Sequence, residues 1–130
     1  MARKDKPGKT PLETCMQFEM DRLPSGIKRV SLQGRLDMQG TNEIDNKFAF
    51  AVATERAPVI VDLAGVDFIA SIGIRMLVTN AKALKSRGGK VVLCNPQPLV
   101  GETLTTAGID LLIPVYADFD AACASLLSAA

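Results

Sequence analysis

The sequence predicts an α/β domain: one mixed β-sheet with an antiparallel hairpin at its N-terminal end and helices packed mainly on one face. Three observations carry this. Residues 16–21 and 29–33 alternate apolar and polar, the period of strands with one wet face. Short unbroken apolar runs follow in "PVIVDLAG" from residue 58 and "KVVLCN" from residue 90, as in strands buried on both faces. Between these runs apolar residues recur at helical spacing. A hairpin followed by alternating strand and helix argues for one sheet with right-handed crossovers.

The elements follow in order. In "CMQFEMDRL" Met16, Phe18 and Met20 face one way, and Gln17, Glu19 and Asp21 the other. "PSG" at 24–26 is a turn. In "IKRVSLQGRL" Val30 and Leu32 face the core, and Arg29, Ser31 and Gln33 face water. Ile44, Phe48, Ala51 and Val52 then share one helical stripe, with Thr41 or Asn42 expected as the cap. The run from 58 is a buried strand, and Asp62 within it needs a nearby hydrogen-bond partner. Ile74, Leu77, Val78, Ala81 and Leu84 form the next stripe, which "GG" at 88–89 ends. After the strand from 90, Pro98 suits the first turn of a helix whose inner face is Val100, Leu104 and Ala107. "LLIPVY" at 111–116 reads as a last strand, held to an edge because Pro114 cannot donate to a ladder. Asp118 caps a final amphipathic helix through Leu126.

Length and composition bound the function. The 130 residues amount to one domain: a basic tail over 1–13, carrying Arg3, Lys4, Lys6 and Lys9, and a folded part over 14–130. A net charge of +1 gives no strong pull toward nucleic acid or a membrane surface. The first 14 residues hold no apolar core region, so no secretory leader is read, and no stretch is long and apolar enough to insert in a membrane. Cys15, Cys94 and Cys123 are odd in number and widely spaced, neither a disulfide framework nor a metal motif. They fit small buried hydrophobes in a reducing cytoplasm. Histidine is absent, which removes the commonest general base and metal ligand. No phosphate-binding glycine loop is present either. The chain therefore reads as no enzyme, with no catalytic residue, no metal and no cofactor.

The residue that needs explaining is Ser71, in "DFIASIGIR" at 67–75. It falls where a strand's exit meets a helix's first turn. As a helix cap its oxygen would accept from the backbone N–H of Gly73 or Ile74. As a nucleophile it lacks an adjacent base, and Ile69 stands where a nucleophile elbow needs glycine. As a switch it is well placed: a helix N-terminus offers unpaired N–H donors and a positive dipole end, so a phosphate is accommodated there. Cap and switch are compatible. Gly73 either makes room for a partner's backbone or marks close packing. Arg75, Met76 and Thr79 lie beside or opposite the core stripe, and Met76 suits either a binding surface or the edge of the core.

These segments resemble a known family. "VDLAGVDFIASIGIRMLV" is similar to the signature stretch of STAS domains, specifically the bacterial anti-sigma factor antagonists, where a strand runs into a loop of the form F-x-D-S-S/T-G and then a helix. "LQGRLD" at 32–37 resembles the family's G-x-L-D, and "GGKVVLCNPQPLV" and "LTTAGIDLLIPVYAD" resemble its later strand, helix and last strand. The resemblance spans roughly residues 15–128 and implies a single STAS-type domain.

It also implies a partner switch. The unphosphorylated antagonist would bind an anti-sigma factor that is a histidine-kinase-like ATPase acting as a serine kinase. Phosphorylation of the loop serine, by position Ser71, would release it, and a cognate phosphatase would reset it. The implied partner surface takes in Asp37, Asp67, Ala70, Ile72, Gly73, Arg75, Met76 and Thr79, on a chain expected to be a monomer or weak dimer. For Asp37 a purely local turn or cap is the competing reading. Two positions depart from the pattern: Ala70 stands where the family has Asp, and Ile72 where it often has Ser or Thr. Ala70 favours an alternative, a non-phosphorylated STAS subunit of a lipid-transport ABC system or another signalling assembly.

Overall fold

The computed structural model describes residues 16–128, so the basic tail and Cys15 lie outside the described residues. Among the described residues five strands and four α-helices alternate after an initial hairpin: β1 (Met16–Arg22), β2 (Lys28–Leu36), α1 (Met38–Ala53), β3 (Val59–Ile69), α2 (Ser71–Ser86), β4 (Val91–Cys94), α3 (Pro98–Thr106), β5 (Val115–Tyr116) and α4 (Phe119–Ser128). The sheet order is β1-β2-β3-β4-β5. β1 is antiparallel to β2, and every later neighbour is parallel. This is the mixed sheet with an N-terminal hairpin that the alternation predicts.

Side-chain alternation along the central strands divides the core. Val59, Val61 and Leu93 point to the face covered by α1, α2 and α3, where they pack with Phe48, Leu77, Leu84, Val100 and Leu104. Ile60, Val92 and Cys94 point to the other face, where α4 covers them through Ala122 and its neighbours together with Ile27. β3 and β4 are thus apolar on both faces, which is why their sequence runs are unbroken.

Three local expectations change. Thr41 and Asn42 do not cap α1; Asp37 does, its Oδ1 accepting from Gly40 N at 2.9 Å, so the helix begins a turn earlier. Met20 is 44% exposed although it shares the apolar parity of β1, which is an edge strand of the sheet. The stretch 111–116 is not one strand. Ile109–Leu111 forms a short 3-10 helix and only Val115–Tyr116 pairs with β4, at the sheet edge that Pro114 requires.

Lys28 lies at the start of an alternating strand yet is 2% exposed. Its ammonium donates to Ala51 O at 2.6 Å and lies 3.5 Å from Glu55, at the C-terminal end of α1. A cation there satisfies an orphan carbonyl and meets the negative end of the helix dipole.

Candidate functional site

The site is built where β2 and β3 end side by side. The parallel register places Leu36 opposite Ile69, so Asp37 and Ala70 leave the sheet together. The Ala70 N–H donates to Leu36 O at 3.0 Å and ties the two exits. β3 runs straight into α2 through one residue, Ala70, which holds the N-cap position in extended backbone with no side-chain cap. Ser71 is the first helical residue, not the cap, so the expectation that its oxygen serves Gly73 or Ile74 does not hold. It is exposed. A cap needs the extended backbone that Ala70 occupies, and Ser71 is already helical.

Gly73 explains how α2 comes so close. A Cβ there would meet Leu36 Cβ and Leu36 O at 2.9 Å and Ile69 Cγ1 at 3.1 Å. Gly73 is buried, so it is a packing contact and leaves no room for a partner. Met76 is 4% exposed and belongs to the core, with an edge that lines the groove toward α1. Ile72 is half-buried, while Arg75 and Thr79 are exposed on the same helix. Asp67 is exposed in β3 at an irregularity in the pairing, where Gly34 faces Val66 and Arg35 faces Phe68.

Asp37 is both a cap and part of the site. The backbone N–H of Gly40 holds its carboxyl below the usual carboxylate range, with Arg35 adding to the effect. Arg35 bridges outward: its Nε lies 3.4 Å from Asp37 Oδ2 and its guanidinium 4.3 Å from the centroid of the Phe68 ring. Asp62, farther down β3, is half-buried and accepts from Ala64 N at 2.9 Å and Asn95 Nδ2 at 3.3 Å, the nearby partners expected for it.

Two grooves flank α2. One, about 610 Å³, lies toward α3; Ala70, Ser71, Ile74, Leu99 and Thr103 line it. The other, about 180 Å³, lies toward α1; Thr41, Asp45, Ile72, Arg75 and Asn80 line it. Leu99 is 59% and Met38 67% exposed, so large apolar side chains stand on the elements either side of Ser71. Neither residue was expected at the site. Leu99 lies off the Val100 and Leu104 stripe, which is the signal that marks it as outward-facing. Among the described residues no group of three His, Cys, Asp or Glu is placed to hold a metal, and no helix is long and apolar enough to cross a membrane.

Comparison with known proteins agrees with this geometry. The family model for the STAS domain matches residues 20–122. BtrV of Bordetella bronchiseptica, assigned to the anti-sigma factor antagonists, is 30% identical over 114 residues, covering 88% of this chain and 97% of BtrV. A crystal structure of an anti-sigma factor antagonist from Mycobacterium paratuberculosis superposes with a TM-score of 0.77 at 21% identity, over 85% of this chain and 93% of that one. The Bacillus antagonist SpoIIAA in its phosphorylated form superposes at 0.63 with 19% identity, over 84% of this chain and 98% of that one. The chain belongs to the STAS domain family, among the anti-sigma factor antagonists, which are non-catalytic regulatory proteins.

Proposed function

We propose that this chain is a cytoplasmic partner switch gated at Ser71. Unphosphorylated, it binds an anti-sigma factor of the histidine-kinase-like ATPase type, which frees a sigma factor for transcription. That kinase phosphorylates Ser71 and the complex parts; a cognate phosphatase restores the binding form. The observation that carries the reading is the position of Ser71, exposed at the first residue of α2. A phosphate there meets the positive end of the helix and leaves the core untouched. It also adds about two negative charges to the surface formed by Asp37, Ile72, Arg75 and Thr79. Apolar contacts by Leu99 and Met38 would then be lost to repulsion and hydration. The relative SpoIIAA is known in a phosphorylated form, which supports the same chemistry here.

The test is binding to the candidate kinase by calorimetry. Ser71→Ala should bind as the unmodified chain does, and Ser71→Glu should not. Incubation with kinase and ATP should place a phosphoryl group on Ser71, read by mass spectrometry. Equal binding by both variants removes the gate. It would favour the second reading, to which Ala70 in the usual acidic position points: a STAS subunit of a lipid-transport ABC system or other assembly, held without phosphorylation.

A further inference from the structure

The net charge of +1 conceals a segregation of charge. Arg22, Arg56, Lys85, Arg87 and Lys90 are all exposed, and all lie in or beside the turns at the end of the sheet away from Ser71. The register brings them to one level. Arg22 pairs with Lys28, Lys28 lies opposite Val59 and Val59 opposite Val91, so these four residues form a row across the sheet. Lys90 directly precedes the row, and its carbonyl accepts from Val59 N at 2.9 Å. Arg56 ties the α1–β3 turn to the α2–β4 turn: a Cβ on Gly88 would fall 3.5 Å from Arg56 Nε. Cations from separate segments thus stand along one edge, about 15 Å across at the usual spacing of neighbouring strands.

Little offsets them. Glu55 stands among them, but Arg22 holds it at 2.8 Å and the buried Lys28 ammonium lies 3.5 Å away. Arg56, Lys85, Arg87 and Lys90 form no ion pair with another described residue. Lys85 and Arg87 close α2 and Arg56 follows α1, where cations suit the helix dipole. That explanation does not reach Arg22 or Lys90. At the other end of the sheet the balance reverses: Asp37, Asp45, Asp67 and Glu102 outnumber Arg35 and Arg75. The domain is therefore polarised, positive where its parallel strands begin and negative around Ser71.

Apolar side chains beside the cations select the target. Phe50, in the last turn of α1, is 75% exposed. Leu127, in the last turn of α4, is 57% exposed, and Leu126 beside it joins Leu23 and Ile27 of the β1–β2 turn in one apolar cluster. An acidic protein or a nucleic-acid backbone would take up the charges and leave these side chains without a role. An anionic bilayer uses both: lysine and arginine meet the headgroup phosphates, while an aromatic ring and an aliphatic chain enter the apolar boundary beneath. We propose that this end of the domain seats on an anionic lipid surface, with the five exposed cations on the headgroups and Phe50 and Leu127 at the margin. β3 carries the chain eleven residues from the cationic row to Ala70, roughly 35 Å at the rise of a strand. Ser71 therefore stands clear of the bilayer and open to a partner. The seat goes beyond the switch proposed at Ser71 and does not depend on it.

The probe is a vesicle of phosphatidylcholine mixed with phosphatidylglycerol, with pure phosphatidylcholine vesicles in parallel, and the full chain is followed by co-sedimentation. Binding is expected on the anionic vesicles alone, and added salt should release it. Arg56→Gln combined with Lys90→Gln should weaken binding about twentyfold, at about fivefold for each charge. Lys85→Gln combined with Arg87→Gln should do the same, so one pair remains readable if the other lowers the melting temperature. Phe50→Ser should weaken binding severalfold, since the ring enters the apolar boundary. Replacing Arg3, Lys4, Lys6 and Lys9 together by glutamine should leave most of the binding in place. No binding to anionic vesicles, equal binding to pure phosphatidylcholine, loss on replacing the tail cations instead, or undiminished binding by both paired variants would each overturn the proposal. So would full binding by Phe50→Ser, which would leave a purely charged surface suited to an acidic protein or a nucleic acid. No kinase takes part, so this outcome is separate from the Ser71→Ala and Ser71→Glu comparison.

Discussion

Gly73→Ala tests how α2 is seated, and its sign follows from three distances. The new methyl would come within 2.9 Å of Leu36 Cβ and Leu36 O and 3.1 Å of Ile69 Cγ1, all closer than ordinary contact. None of these neighbours yields easily. Leu36 is fully buried and Ile69 is 4% exposed. Leu36 O is fixed by the Ala70 N–H at 3.0 Å. Overpacking costs about 1–3 kcal/mol, and backbone on one side places this case in the upper half. Alanine's better helix propensity returns about 1 kcal/mol. The net is a destabilisation of about 1–2 kcal/mol, a melting temperature lower by about 3–10 °C for a domain of this size. Gly101→Ala in α3 is the control. A Cβ there meets only Pro96 at 3.7 Å, an ordinary contact, so the helix gains about 1 kcal/mol and melts higher. Calorimetry of both variants decides. A Gly73→Ala chain that melts at or above the parent, or a Gly101→Ala chain that melts below it, refutes the reasoning.

Asp37→Ala should lose about 1 kcal/mol at neutral pH, the usual value of an N-cap. Folding depresses the Asp37 carboxyl, so its contribution is full above the ordinary carboxylate range and fades as pH falls through and below it. Parent and variant should therefore converge in acid, and urea titrations at pH 7 and near pH 3 would show a constant gap if the cap were not the cause. Cys94 should resist thiol reagents in the native state at pH 8, since burial pushes its thiol up to about 12. Peptide mapping after a labelling pulse should find it modified only in denaturant, and rapid native labelling would contradict its place in the core.

Much of this was legible because hydrophobic period reports burial directly. The unbroken runs in β3 and β4 and the stripe of α2 announce a sheet with helices. What stayed hidden depends on which element lies across from a residue. Lys28 has the parity of a core position, but only the end of α1, presenting the Ala51 carbonyl and Glu55, makes a buried ammonium tolerable. Asp37 was read both as a cap and as site surface, and it occupies the cap; the preference for Thr41 failed because the helix extends one turn upstream of its apolar stripe. Met76 was open between surface and core for the same reason: a one-dimensional stripe does not say how far α1 wraps over α2. Ser71 itself was misplaced by a single residue, and that residue changes its chemistry.

With Ser71 at the first helical position, the absent acid at 70 acquires a physical meaning. An Asp at the N-cap accepts from the N–H of Ile72 or Gly73, the donors nearest a phosphate on Ser71. It would also place a negative charge beside that phosphate. Ala70 does neither, and α2 begins without a side-chain cap. The unphosphorylated chain is thereby about 1 kcal/mol less stable than it need be. A phosphoryl group can take over the vacant capping role, since anions at a helix N-terminus are stabilising by about 0.3–2 kcal/mol. Ala70→Asp should accordingly raise the melting temperature of the unmodified chain, while Ser71→Glu should raise it in the Ala70 background and by less, or not at all, once Asp is present. Such non-additivity is the signature of two groups competing for the same donors. Strict additivity in the four-chain cycle would show that the carboxylates act independently, and Ala70 would then be only a weak cap.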